Sequence, residues 1–202
     1  MTYIYDIFSK KLTEVAPFTV DLLLPSGAEN LNYVLYTDES PYKMQREWLD
    51  RLPFDIYSVN VHTGAKRLIG RSYRTAPKWS VNGKWAVMYD PIAQVWNKFD
   101  GATGKVVNIS DAIGYPMFVE SYDKPAPAPA YGIAGWTADG NNVFLYDAYD
   151  WWKIDLTGER QPECLTKGYG RKHGKSIRKM TSNIDKDVFQ KDEKVIVSLW
   201  DK

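Results

Sequence analysis

The sequence predicts an all-β chain, organised as a partial β-propeller of about three to four antiparallel four-stranded blades with a short helical insert near 42–52. Three observations carry that prediction. Apolar stretches such as "NYVLYT", "KWAVMYD", "NVFLYD" and "KVIVSLW" are short and end at Gly, Asn, Asp or Pro, as alternating strands and turns do. The aromatic residues (8 Trp, 14 Tyr and 7 Phe) fall mostly in short runs rather than at helical spacing. The chain also repeats itself, and the repeat sets the architecture.

"WSVNGKWAVMYD" (79–90) aligns without a gap on "WTADGNNVFLYD" (136–147), with Trp79/Trp136, Gly83/Gly140, Tyr89/Tyr146 and Asp90/Asp147 identical. Asn82-Gly83 and Asp139-Gly140 are hairpin-turn dipeptides, because such turns need φ > 0. Each copy continues into an aromatic strand, Asp100 or Asp155, a Thr-Gly turn and another short strand. "IYSVNVHTGAKRLIG" repeats this with Asn60 and Thr63-Gly64, and "YIYDIFSKKLTEVAP" opens the chain with Ser9-Lys10 at the turn. Hairpin-joined units of four strands are the arithmetic of a propeller blade. The reading is one partial propeller domain over 1–202, with blades at 16–70, 74–110 and 130–167, partial blades at 1–15 and 176–202, and no catalytic domain. Trp79 and Trp136 lie 57 residues apart, longer than a blade of about 40–45. The excess falls in connectors: "SYDKPAPAPAYG", and the insert "YKMQREWLDRL" between Pro41 and Pro53. Partial blades leave strand edges unpaired, so the chain is expected to be a piece of something larger and to self-associate through those edges.

The 26 basic and 25 acidic residues leave a net charge of +1, which gives no electrostatic case for nucleic acid. Cys164 is the single cysteine, which excludes an internal disulfide and a cysteine zinc cage. His62 and His173 lack the i, i+4 spacing of a zinc helix. No metal or cofactor is expected. No apolar run has the length of a membrane span, and "MTYIYDIFSKKLTEV" lacks the layout of a signal peptide. "KGYGRKHGKS" ends like a phosphate loop, but G-x-x-x-x-G-K-[ST] needs glycine where Tyr169 stands, and a helix after the motif. It reads as a connecting loop. Asp147 and Asp150 could form an acid/base or metal pair. Asp147 matches Asp90 at a strand end, however, which favours turn capping; Asp100 and Asp155 read the same way. Trp151 and Trp152 cannot share one face of a strand, so at least one belongs to the core.

The run "YGIAGWTADGNNVFLYDAYDWWKIDLTGERQPECLTKGYGRKHG" resembles part of the N-terminal propeller of the prolyl-oligopeptidase family of serine peptidases. More narrowly, it is similar to dipeptidyl- and acylaminoacyl-peptidase-like members from Bacteroidetes. Tyr149-Asp150, Asp155, Gly158, Leu165-Thr166 and 168–172 match that pattern in order, "PFDIYSVNVHTGAKRLI" resembles another blade, and the likeness spans about 33–175. The resemblance implies a catalytic α/β-hydrolase domain elsewhere in a parent chain, bearing G-x-S-x-G followed by Asp and His. This sequence lacks that motif. Its nearest approach, "GRSYR" at 70–74, has Arg74 where the second glycine belongs, and His62 and His173 sit in a turn and a loop.

The chain is therefore expected to be non-catalytic alone. In its parent it would gate substrate access and form part of the substrate-binding wall. Its partners would be the catalytic domain and, through the parent, a peptide; a periplasmic or secreted location is implied. In dipeptidyl peptidases, acidic residues on a propeller insert hold the substrate's amino terminus. Glu47 and Asp50, three apart on one helical face, are the substrate-binding candidates here, although Arg46 and Arg51 beside them also suit a solvated helix. The alternative is a stand-alone β-propeller binding module for a protein or glycan partner, and a third reading is a hydrolase with a site of scattered residues.

Overall fold

A computed structural model describes residues 1–18, 20, 22–26, 32–49, 51–180 and 187–201. Strands β1 (Thr2–Asp6) and β2 (Lys11–Ala16) form an antiparallel hairpin. A four-stranded antiparallel sheet follows in chain order: β3 (Leu22–Leu24), β4 (Tyr33–Asp38), β5 (Phe54–Asn60) and β6 (Lys66–Tyr73). The next is β7 (Lys78–Trp79), β8 (Trp85–Asp90), β9 (Val95–Asp100) and β10 (Val106–Asn108). A third run comprises β11 (Ile133–Thr137), β12 (Asn142–Tyr146), β13 (Trp151–Asp155) and β14 (Glu163–Cys164). After helix α1 (Tyr169–His173), β15 (Lys175–Lys179) pairs with β17 (Val197–Asp201). Between them, β16 (Val188–Phe189) returns to β11 and adds a fifth strand in parallel. The chain is all-β, built of successive antiparallel sheets that form no closed ring among the described residues.

The repeated turns have one physical cause. Asn60 Oδ1 accepts the backbone N–H groups of His62 and Thr63, both at 3.0 Å. Asp100 Oδ1 does the same for Ala102 (2.8 Å) and Thr103 (3.2 Å), and Asp6 Oδ1 for Phe8 (2.9 Å) and Ser9 (3.1 Å). A short side chain that satisfies two N–H groups bends the chain locally and ends the strand. Gly64 and Gly104 then take φ of +73° and +69°, and Lys10 accepts +54° at the matching place in the first hairpin. Asp90 Oδ1 caps the β8–β9 turn in the same way, through Ile92 and Ala93 at 2.9 Å each.

Strand alternation sends neighbouring side chains to opposite faces, so each sheet contributes to two cores. Val15 and Ala16 of the first hairpin pack on Val34, Tyr36 and Val59 of the next sheet. The other face of that sheet brings Leu35, Ile56 and Tyr73 against Ala86, Met88 and Phe99. Val87, Tyr89 and Trp96, from the intervening positions, meet Trp136, Val143, Leu145 and Ile154. Phe144, Tyr146 and Trp151 then meet Ile177 and Phe189. Trp151 and Trp152 do face opposite ways, one into this last core and the other against the core before it. One buried phenol marks each of the first three cores: burial pushes Tyr36, Tyr73 and Tyr89 up to about 12.

Polar contacts register the stack. Trp79 Nε1 donates to Leu24 O (3.0 Å), and Asn82 Nδ2 donates to Asp139 O (2.8 Å), setting two equivalent hairpin turns side by side. The Pro/Ala connector returns to its own sheet, with Tyr89 OH donating to Ala128 O at 3.2 Å.

The helical insert differs from expectation. It is a 3₁₀ helix over Ser40–Gln45 rather than a helix over 42–52, and it buries no residue. Met44 and Trp48 remain 85% and 75% exposed, so no apolar face draws a longer helix onto the sheets. Its anchor is Tyr42, whose OH donates to buried Asp55 at 2.5 Å; burial and then that carboxylate raise the phenol's pKa.

Two measurements test this account. A Cβ at Gly140 would lie 2.7 Å from Asn82 N, at a φ of +69°. Gly140→Ala is therefore expected to lose about 1–3 kcal/mol in urea unfolding. Gly114→Ala, with no atom within 4 Å, should stay within about 0.5 kcal/mol of the parent. The second test concerns Asp155. Burial acts to raise its carboxyl, but hydrogen bonds from Thr157, Arg160 and Glu159 outweigh it and hold the group below the ordinary 3.8. Its folded pKa is depressed, so its contribution is complete above about pH 4 and fades as pH falls through the folded value. Over that acid window the parent should lose more unfolding free energy than Asp155→Asn, and equal losses would refute the assignment.

Candidate functional site

The densest polar constellation lies where β12, β13 and α1 meet. Asp147 and Asp150 flank the β12–β13 turn and are 0% and 1% exposed. Asp147 Oδ1 accepts the N–H groups of Tyr149 (2.7 Å) and Asp150 (2.6 Å), which is the turn cap expected from its match to Asp90. Its other oxygen does more: Oδ2 accepts Trp152 Nε1 at 3.0 Å and Arg171 Nη2 at 3.1 Å. Asp150 Oδ1 accepts Thr166 Oγ1 (2.6 Å) and Gly170 N (2.9 Å), and its Oδ2 accepts Arg171 N (3.1 Å).

The backbone of α1 comes this close because residue 170 is glycine. A Cβ there would meet Tyr149 O and Lys175 O, both at 2.6 Å. The Arg171 guanidinium lies 3.8 Å from the Tyr115 ring centroid and 4.9 Å from that of Tyr149, a cation between two π faces. Arg178 fastens the same turn from β15, donating to Asp147 O at 2.8 Å and lying 4.6 Å from the Tyr146 ring; burial lowers its pKa. Asp150 and Arg171 also border a hollow of about 410 Å³, together with Tyr115, Trp152, Cys164, Gly168 and Lys172.

This arrangement decides what the aspartates can do. Seven donors occupy their four oxygens. Asp147 accepts two donors on each oxygen and Asp150 three donors on its two, so both carboxylates are committed chiefly to the fold, and their buried charge is balanced by N–H groups and a guanidinium. The pair acts as a fastening between the third sheet and the connector. Among the described residues no cluster of three or more His, Cys, Asp or Glu side chains could hold a metal ion.

The other candidates are dispersed. Glu47 is exposed in the turn after the 3₁₀ helix, so the helical face on which it was expected does not form; Asp50 lies outside the described residues. Ser72 sits in antiparallel β6 at φ +57°, its N–H bonded to Asp55 Oδ1 at 3.1 Å, which is not a strand-to-helix elbow. His62 is exposed beside Asn32 Oδ1 (3.2 Å), and His173 lies against Tyr169 with centroids 4.3 Å apart and the rings tilted by 37°. The stretch read as a loop contains the five-residue helix α1. Its Gly174-Lys175-Ser176 end runs into β15, leaving no helix N-terminus for a phosphate.

Sequence reasoning missed Arg171 as the partner of Asp147. Nothing in "GYGRK" or around Tyr115 marks that pairing in sequence, because it follows from the buried position that Gly170 takes in the fold. Compared with known proteins, the chain matches no family model and no curated protein.

Arg171→Leu is expected to destabilise the chain by about 3 kcal/mol, the low end for a buried pair because 30% of the Arg171 side chain stays in water. Adding Asp147→Asn should restore part of that loss in a double-mutant cycle. A single-variant loss below about 1 kcal/mol would mean that the pair is not the fastening.

Proposed function

We propose that this chain is a non-catalytic β-propeller segment of a prolyl-oligopeptidase-family serine peptidase. In the parent enzyme its blades restrict which peptides reach the catalytic domain and form part of the wall they lie against, in the periplasm or outside the cell. One observation carries this reading. The residues that resemble the family pattern, Asp150, Thr166, Gly170 and Arg171, lie up to 21 positions apart yet converge on a single carboxylate. A chance likeness among aromatic strands gives no reason for such convergence. The stacking of successive sheets through alternating cores supports the propeller part of the reading.

The test uses an antibody against this chain to capture its native gene product from source cells, followed by mass spectrometry and labelling with a fluorophosphonate serine probe. The expected product is larger than 23.2 kDa, contains G-x-S-x-G and takes up the probe, while the purified chain does not. An unlabelled product at 23.2 kDa would overturn the reading in favour of a stand-alone binding module. Labelling of the purified chain would instead establish a hydrolase in its own right.

A further inference from the structure

The stretch around "KGYGRKHGKS" carries more positive charge than the fold consumes. Residues 165–180 hold six Lys and Arg side chains and no Asp or Glu, in a chain of net charge +1. Three of the six form ion pairs: Arg171 with Asp147, Lys175 with Asp201 and Lys179 with Asp187. Arg178 is spent on the carbonyl oxygens of Asp147, Ala148 and Ile177. Among the described residues, Lys167 and Lys172 have no acidic partner.

Lys172 is exposed and borders the hollow beside Asp150 and Arg171. At about 410 Å³ that hollow falls within the range of small-ligand sites, about 300–1,000 Å³. Two of its walls are aromatic: the Tyr115 and Trp152 ring centroids lie 6.1 Å apart, with the rings tilted by 46°. Arg171 spends Nη2 on Asp147, and its Nε is buried with no acceptor among the described residues, so the guanidinium keeps donor capacity. Asp150 is almost wholly buried and both its oxygens already accept protein donors. Around the hollow, the carboxylates of Asp147 and Asp150 stand against three cations, Arg171, Lys172 and Arg178.

We propose that this hollow binds a ligand in which a carboxylate is joined to an aromatic ring. The ring lies against Trp152 and Tyr115, where offset or edge contacts between rings are favourable. The carboxylate accepts charge-assisted hydrogen bonds from the Lys172 ammonium and from the Arg171 guanidinium. A monoanion matches the surplus of one positive charge, whereas a phosphate dianion would bring a second negative charge beside Asp150 with nothing to balance it. The stretch that ends like a phosphate loop thus meets an anion through its side chains.

Two sources share this chemistry: a free aromatic acid, and the C-terminal aromatic residue of a peptide. The hollow has room for either. A Cβ at Gly168, on its wall, would meet no atom within 4 Å, which leaves a way out for a peptide chain. The inference stands on the residues that line the hollow, independently of any peptidase domain.

NMR titration of the purified, isotope-labelled chain tests it, with benzoate and N-acetyl-L-phenylalanine as the probes. Both are expected to give saturable shifts at millimolar concentration. The uncharged amide of N-acetyl-L-phenylalanine, and phenethylamine, should each bind at least about fivefold more weakly. Lys172→Glu reverses an exposed charge and should weaken both acids by at least about fivefold, as should Tyr115→Ala through the lost ring contact. Tighter binding of N-acetyl-L-phenylalanine than of benzoate supports the proposal with a peptide end as occupant, and the reverse order supports it with a free acid. Absence of saturable shifts, an amide or amine that binds as tightly as the acids, or a Lys172→Glu chain that binds like the parent would each overturn it. The spectrum of each variant reports its folding, and Lys172→Gln is the substitute if the charge reversal unfolds the chain.

Discussion

The structure depends on face-to-face burial between successive sheets. A strand of five or six residues offers two or three side chains to each face, too few to hold a sheet unless both faces are covered. Strand β8 shows how tightly this constrains the sequence: Ala86 and Met88 serve one core while Val87 and Tyr89 serve the next. A one-residue slip would exchange those roles and disrupt two cores together. The capped turns hold that register. Asn60 and Asp100 fix where each third strand ends, so the side-chain parity of the strand follows from a hydrogen bond at its tip.

The Asp147–Asp150–Arg171 cluster extends the same logic to a place where strands are short. Strand β14 has two residues and α1 five, so neither offers much apolar surface. Buried carboxylates with several donors each supply directional contacts instead, and a glycine lets the helix backbone reach them. Such a cluster confers position more than net stability, since separating two carboxylates from water consumes much of what their hydrogen bonds return.

The parts legible in sequence were those governed by local chemistry. Asx turns, Gly positions and two-residue periodicity each act within a few residues, so the hairpins at Asp6, Asn60 and Asp100 could be read directly. The parts that were not legible depend on distance along the chain. Strand β16 returns to β11 in parallel across some fifty residues, and its two residues carry no periodicity. The insert misled because "YKMQREWLDRL" has helix-forming residues but leaves Met44 and Trp48 exposed, and it is held instead by Tyr42 reaching Asp55 and by buried Leu52 at its end. The functional candidates shared that weakness: Asp147 was legible as a cap, and its ion pair with Arg171 was not.

The three buried phenols give the stack its own optical gauge. Tyr36, Tyr73 and Tyr89 occupy successive cores and stay neutral to about 12, whereas an unfolded tyrosine ionises near 10. Their folded pKa values are raised, so the stabilisation they bring is whole below about pH 10 and drains away between there and about pH 12. Alkali thus acts on the seams between the sheets. The ultraviolet absorbance of tyrosinate reports their ionisation together, as one late step, without any added label.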